Sequence, residues 1–338
     1  MSAKLQLGLI GAGRIGKLHA NNITHLIPDA QIKIVADILG DSIKDWANSL
    51  EIPRVTADYR EVINDPEIGA ALICSSTDTH ADLIVAAARA GKHIFCEKPV
   101  DLSVAKIKTA LQAVEEAGVK LQIGFNRRFD HNHRSVKEAI LAGKVGEPQL
   151  IQITSRDPGP PPLEYIKVSG GLFLDMTIHD FDMARFLAGS EVTAVYAAGG
   201  VLVDPAIGAA GDIDTAIITL KFANGALGVI NNSRQAAYGY DQRVEVFGSK
   251  GSAMDLNDTP STAILSTAAG IVAEKPQYFF LERYNESFIN EMKAFVAAVL
   301  TDQATPVGGE DGLQAVLIAH AAQQSLTENR PVGIADVR

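Results

Sequence analysis

The chain has 338 residues, long for one hydrophobic core, so two domains are expected. Its 47% hydrophobic and 21% charged residues suit a folded, enzyme-sized protein, and the formal charge of −10 speaks against a nucleic-acid partner or an anionic membrane surface. No apolar run approaches the roughly 20 residues needed to span a bilayer.

Near the N-terminus no basic segment leads into a long apolar one, so no secretory leader is expected. Leu5 to Ile10 reads as a strand, and Gly11-Ala12-Gly13-Arg14-Ile15-Gly16 follows at once, before a helix-compatible stretch through His25. Strand, glycine turn and helix stand in the order of the dinucleotide fingerprint. Gly11 permits the tight turn, Gly13 admits a pyrophosphate to the backbone, and Gly16 lets the helix lie close on the sheet. The helix N-terminus adds free N–H groups and a positive dipole end. A second strand, Ile32 to Ala36, ends in Asp37. A carboxylate there accepts hydrogen bonds from ribose hydroxyls and repels a 2′-phosphate, which favours NAD over NADP. The plainer reading of Asp37 is a turn or capping residue.

Ala70 to Cys74 reads as a further strand, followed by Ser75-Ser76-Thr77-Asp78-Thr79-His80 and a helix over 81–90. The small hydroxyl residues suit cofactor contacts, and Thr77, Asp78 or Thr79 also suits a helix cap. The next strand, His93-Ile94-Phe95-Cys96, runs into Glu97-Lys98-Pro99. In an open parallel sheet the carboxyl ends of the strands border the ligand crevice. A lysine held there can reach a cofactor or a substrate; otherwise Lys98 is an ordinary solvated lysine. A helix over 103–117 and a strand over 120–125 complete a Rossmann pattern. The candidate cofactor contacts are Gly11, Gly13, Arg14, Ile15, Asp37, Ser75, Ser76, Thr77 and His80. Glu97 joins them, near the nicotinamide ribose. Cys74 and Cys96 lack the spacing of a metal site or a disulfide framework. They read as buried thiols; no metal site is expected, and a reducing cytoplasm is the simplest compartment.

After Gly124 the rhythm changes, which sets the expected domains at 1–124 and 125–338. A helix over 132–142 and a strand over 149–155 precede the stiff loop Asp157-Pro158-Gly159-Pro160-Pro161-Pro162. A helix over 178–188 follows, then strands over 192–197, 214–222, 227–233, 243–247 and 252–255. Asn224-Gly225 and the Gly248 to Gly251 turn indicate antiparallel pairing. Helices over 285–300 and 311–326 close the chain. The fold class is therefore α/β: a doubly wound parallel sheet followed by an α+β domain with a large, mostly antiparallel sheet.

Within Gly170-Gly171-Leu172-Phe173-Leu174-Asp175-Met176-Thr177-Ile178-His179, a helix would put Asp175 and His179 on one face. A carboxylate beside an imidazole can orient the ring and favour its protonated form. A helix-start aspartate with a structural histidine is the plainer reading. Alcohol oxidation needs a base with a pKa near neutrality and a cation beside the oxygen that loses its proton. His179 fits the first role and Lys98 the second.

These residues, in this order, resemble the glucose–fructose oxidoreductase / inositol dehydrogenase / rhizopine-catabolism family over nearly the whole chain. The resemblance implies that Lys98, Asp175 and His179 form the catalytic group, and that a Rossmann domain carries a second domain whose sheet builds dimers or tetramers. A narrower likeness, to the inositol 2-dehydrogenase branch, rests on four stretches. They are Gly124-Phe125-Asn126-Arg127-Arg128-Phe129-Asp130, Thr154-Ser155-Arg156-Asp157-Pro158, Asp175 to Asp180, and Tyr238-Gly239-Tyr240-Asp241. It implies NAD-dependent oxidation of myo-inositol to the 2-ketone in a catabolic role, with Asn126, Arg127, Asp157 and Tyr240 lining the polyol site. Some members of that branch differ at the position of Asn126, which leaves the preferred ring isomer open. A scyllo-inositol or other sugar dehydrogenase is the rival activity. A catalytically silent NAD-binding regulator would be expected to lose Lys98 or His179, and this chain keeps both.

Overall fold

The computed structural model describes residues 4–337. Its chain divides into two compact units. The first runs to Asn126 and regains Ser287–Gln314; the second comprises Arg127–Glu286 and the chain from Ala315 onward. The first crossing thus falls after Asn126 rather than Gly124. The later return was not visible in the sequence pattern, because a single amphipathic helix does not declare which core it joins.

The first unit begins with β1 (Leu5–Ile10), α1 (Arg14–Leu26), β2 (Ala30–Ala36), α2 (Lys44–Ser49), β3 (Arg54–Thr56) and α3 (Arg60–Asn64). It continues with β4 (Ala70–Ile73), α4 (Thr77–Arg89), β5 (His93–Glu97), α5 (Val104–Ala117) and β6 (Leu121–Gly124). The six strands are all parallel, in the order β3-β2-β1-β4-β5-β6. That is the doubly wound arrangement, with its reversal of direction between β1 and β4, where such sheets bind ligands. Its strands are apolar on both faces because helices cover both. Leu7, Leu9, Val35, Leu72 and Phe95 pack with Ala20 and Ile23 of α1 and with Met292, Phe295 and Val296, all buried. α4 starts at Thr77, earlier than the apolar pattern suggests, so the hydroxyl-rich segment is mostly first turn of helix. Ser76 is its N-cap by backbone, with no side-chain cap bond.

In the second unit Asp130 caps α6 (His131–Leu141) by accepting from the backbone N–H of Asn132 and His133. There follow β7 (Pro148–Arg156), α7 (Leu163–Ser169), α8 (Gly171–Asp175), α9 (Thr177–Ala188), β8 (Val192–Gly200) and α10 (Pro205–Ala209). Next come β9 (Thr215–Phe222), β10 (Leu227–Ser233), β11 (Asp241–Gly248), β12 (Gly251–Met254) and a hairpin, β13 (Ile264–Thr267) with β14 (Gly270–Ala273). The chain continues through α11 (Phe280–Arg283), α12 (Asn285–Leu300) and α13 (Gly309–Glu328) to β15 (Val332–Gly333). The sheet order is β12-β11-β7-β10-β9-β8-β15, mostly antiparallel as expected. The exception is β7 with β10, which run parallel across a long connection of four helices and two strands. α9 packs against β7 and β10 on one face of the sheet. On the other face Leu150 and its register partners Leu227 and Phe247 are exposed.

Candidate active site

The glycine turn of the first unit is explained residue by residue. Gly11 has φ +95°, and a Cβ on it would lie 2.5 Å from the backbone nitrogen of Ser75. A Cβ on Gly16 would lie 2.0 Å from the carbonyl oxygen of Gly11. A Cβ on Gly13 would meet nothing within 4 Å, so here the missing side chain leaves open space beside the N-terminus of α1. Gly13 caps that helix without a side-chain bond, and a helix N-terminus of this kind suits an anionic ligand. Arg14 and Ile15 form the first turn of α1, Arg14 exposed and Ile15 half-buried. Asp37 stands at the end of β2 and accepts from the backbone N–H of Ala12 at 2.7 Å and of Leu39 at 2.8 Å. The turn and the acidic residue are therefore fixed against each other. This arrangement fits an anionic dinucleotide.

Ser75 Oγ lies 2.6 Å from Thr79 Oγ1. His80 is buried, with Nδ1 2.8 Å from the carbonyl oxygen of Pro99 and Nε2 3.1 Å from that of Ser75. It therefore braces the segment that follows Lys98, whose peptide to Pro99 is cis. Glu97 Oε1 accepts from His19 Nε2 at 2.7 Å. Its register partner on β6 is Gly124, where a Cβ would sit 2.9 Å from Glu97 Oε2. Glu291 on α12 is fully buried near His19. Burial and then the neighbouring Glu97 charge push its carboxyl well above the usual range, which favours its protonated form.

Two polar groups form in the second unit. Arg127 is buried and donates through Nη1 to Asp180 at 2.6 Å and through Nη2 to Tyr240 Oη at 3.4 Å. Asn232 Nδ2 donates to the other oxygen of Asp180 at 2.8 Å. Burial pushes the Tyr240 hydroxyl up to about 12, keeping it a neutral donor. Asn126, the last residue of the first unit before its return and the start of the 3-10 turn Asn126–Phe129, is buried.

The second group centres on Arg234, just after β10. Its Nη1 donates to Asp175 Oδ2 at 2.8 Å and lies 3.5 Å from Asp157 Oδ2. Tyr165 on α7 donates to the other Asp175 oxygen at 2.8 Å. Burial pushes the Asp157 carboxyl up to about 6, opposed by the Arg234 charge and assisted by Asp175. Asp175 ends α8 and His179 lies in the first turn of α9, so the segment is not one continuous helix but is interrupted at Met176. There the Thr177 hydroxyl lies 3.2 Å from the Leu172 carbonyl and 2.7 Å from Asn232 Oδ1, competing with regular helical bonding.

Sequence reasoning missed Arg234, Asp180, Asn232, Tyr165 and Glu291. Asp180 follows His179 directly. Arg234 follows the polar end of β10, Asn231-Asn232-Ser233, so no apolar run delivers it as one delivers Lys98.

Two family models match the chain. Residues 5–125 match the oxidoreductase family with an NAD-binding Rossmann fold, and residues 133–254 match the GFO/IDH/MocA C-terminal domain. An uncharacterized oxidoreductase of Bacillus subtilis (strain 168) is 55% identical over 99% of this chain and 98% of its own. The myo-inositol 2-dehydrogenase of Thermotoga maritima is 49% identical over 98% of this chain and 99% of its own. Among solved structures, scyllo-inositol dehydrogenase of Lactobacillus casei, with bound NAD(H) and scyllo-inositol, superposes with a TM-score of 0.92. It is 31% identical and covers 98% of this chain and 99% of its own. The chain belongs to the GFO/IDH/MocA family of NAD-binding oxidoreductases.

Proposed function

We propose that the protein oxidises myo-inositol to its 2-ketone with NAD. The observation that carries this reading is the likeness to myo-inositol 2-dehydrogenase over the full length of both chains. The second unit supports it chemically. Arg127 with Asp180 and Tyr240 is a charge-balanced group, and Asp157 and Asp175 set two carboxylates around the single guanidinium of Arg234; both groups are rich in donors and acceptors. Such groups suit a neutral, hydroxyl-covered ring better than an anion.

Bound NAD supplies the hydride acceptor. The substrate C–H bond breaks with its electron pair leaving as hydride, the hydroxyl loses its proton to His179, and a C=O bond forms. Lys98 holds the oxygen as charge develops on it, and Asp175 orients the hydroxyl. Gly11, Gly13, Arg14, Ile15, Asp37, Ser75, Ser76, Thr77, His80 and Glu97 hold the cofactor. Asn126, Arg127, Asp157 and Tyr240 hold the ring.

We place this activity in polyol catabolism in the cytoplasm, a reading supported by two buried free cysteines. Assembly as a homotetramer is supported by exposed Leu150, Leu227 and Phe247 on one sheet face.

Scyllo-inositol is the second reading, favoured by the Lactobacillus casei structure. Initial rates on myo-inositol, scyllo-inositol and glucose with NAD decide between them. The proposal expects the highest kcat/KM on myo-inositol; no turnover of any inositol would overturn it.

A further inference from the structure

We infer that Arg234 is a positioning residue that holds the carboxylates of Asp157 and Asp175 in place for a polyol without touching the polyol itself. The inference rests on the proposed role of those two aspartates. Accessibility separates the roles: the Arg234 side chain is 2% exposed, whereas those of Asp157 and Asp175 are 22% and 11% exposed. The cation is buried more deeply than either carboxylate, and one nitrogen, Nη1, serves both.

The backbone builds this arrangement. Asp157 N–H donates to the Ser233 carbonyl at 2.9 Å, and Ala236 N–H donates to the Asp157 carbonyl at 2.7 Å. The parallel pairing of β7 and β10 is thereby carried past its last register pair, Ser233 with Arg156. Arg234 N–H donates to the Asp214 carbonyl at 2.8 Å, which fixes the start of its side chain. Asp175 is brought in by α8, whose N-terminal backbone is pinned by Asp212. That carboxylate accepts from Leu172 N–H at 3.0 Å, and a Cβ on Gly171, at φ +82°, would strike it at 2.8 Å.

The charge balance is tight. Arg234 faces Asp157, Asp175 and Asp212, while Asp157 also faces Arg127 and Tyr240, and Asp175 faces Tyr165. Without the guanidinium, two neighbouring carboxylates share a nearly dry wall and one takes up a proton. Asp157, already shifted upward by burial, is the one that yields.

The test compares wild type with Arg234→Gln and Arg234→Lys. On whichever polyol the wild type oxidises, Arg234→Gln is expected to lower kcat by about 100-fold. Its acid limb of kcat/KM should move up by about one pH unit, with NAD affinity by calorimetry within about two-fold. Arg234→Lys should recover about ten-fold of the lost rate. Unchanged kcat and pH profile in Arg234→Gln would overturn the inference, as would a loss confined to thermal stability. If the glutamine variant does not fold, Arg234→Lys carries the test: wild-type kcat and acid limb in it overturn the inference. If the wild type oxidises no polyol, carbon-13 NMR of aspartate-labelled protein replaces kinetics. The Asp157 carboxyl should then titrate higher in either folded variant, and an unmoved midpoint overturns the inference independently of the activity.

Discussion

His19 Nε2 lies 2.7 Å from Glu97 Oε1, a hydrogen bond from the first helix to the residue immediately before Lys98. The same carboxylate leaves no room for a side chain on Gly124, whose Cβ would approach it to 2.9 Å. Glu97 is held from two sides, and Lys98 inherits its position. Gly124→Ala should push the carboxylate off His19, costing about 1–3 kcal/mol of stability. It should also reduce turnover more than NAD affinity. Thermal melts, kcat and calorimetry on the one variant check all three.

Glu291 gives a pH-dependent prediction. Burial raises its pKa in the folded protein above the unfolded value, so the folded state keeps a proton that the unfolded state releases. Its contribution is complete below the unfolded pKa and declines as pH rises through the interval up to the folded pKa. Glu291→Gln has the shape of the neutral acid and no proton to lose. The variant should therefore gain in melting temperature over wild type as pH is raised from 5 to 8. An unchanged difference across that range would show that Glu291 is ionised in the fold.

Lys98→Ala should remove most turnover, by about 100-fold or more, while NAD binding stays within a few-fold. Calorimetry with NAD and steady-state kinetics with myo-inositol separate the two effects. Lost NAD affinity with preserved kcat would assign Lys98 to the cofactor instead.

Asp37→Ala should weaken NAD and relax the discrimination against NADP by about ten-fold or more. The carboxylate also accepts from Ala12 and Leu39, so the variant loosens the turn itself. Asp37→Asn removes the charge and keeps one of the two acceptor oxygens, so one of the two turn bonds survives. A relaxed NADP preference in Asp37→Asn with little loss of NAD affinity separates charge repulsion from loop support. Kd values for both cofactors decide it.

The first unit was legible because its signals are local. Strand, glycine turn and helix are contiguous over 5–26, and Asp37 closes the next strand. The second unit was read less fully for equally physical reasons. α7 begins immediately after a proline-rich stretch, where rigidity suggests a loop. The hairpin of β13 and β14 is exposed throughout, so no inward face marks it. Beside the break at Met176, Thr177 and Asn232, 55 residues apart, meet across the unit. Arg234 likewise takes its meaning from Asp157 and Asp175, 77 and 59 residues away. Partners at such separations leave no periodic trace in the chain.

Met292, Phe295 and Val296 lie in the core of a unit whose other members are nearly all made before residue 126. During synthesis at about 5–20 residues per second, this last layer arrives roughly ten to thirty seconds after β6 has been made. Until then the face of the nascent sheet beneath α1 has no cover from α12, and its apolar side chains stay open to chaperones and to one another. The dinucleotide unit begins before the second unit in this chain, and it is finished only after Arg127–Glu286 has been made.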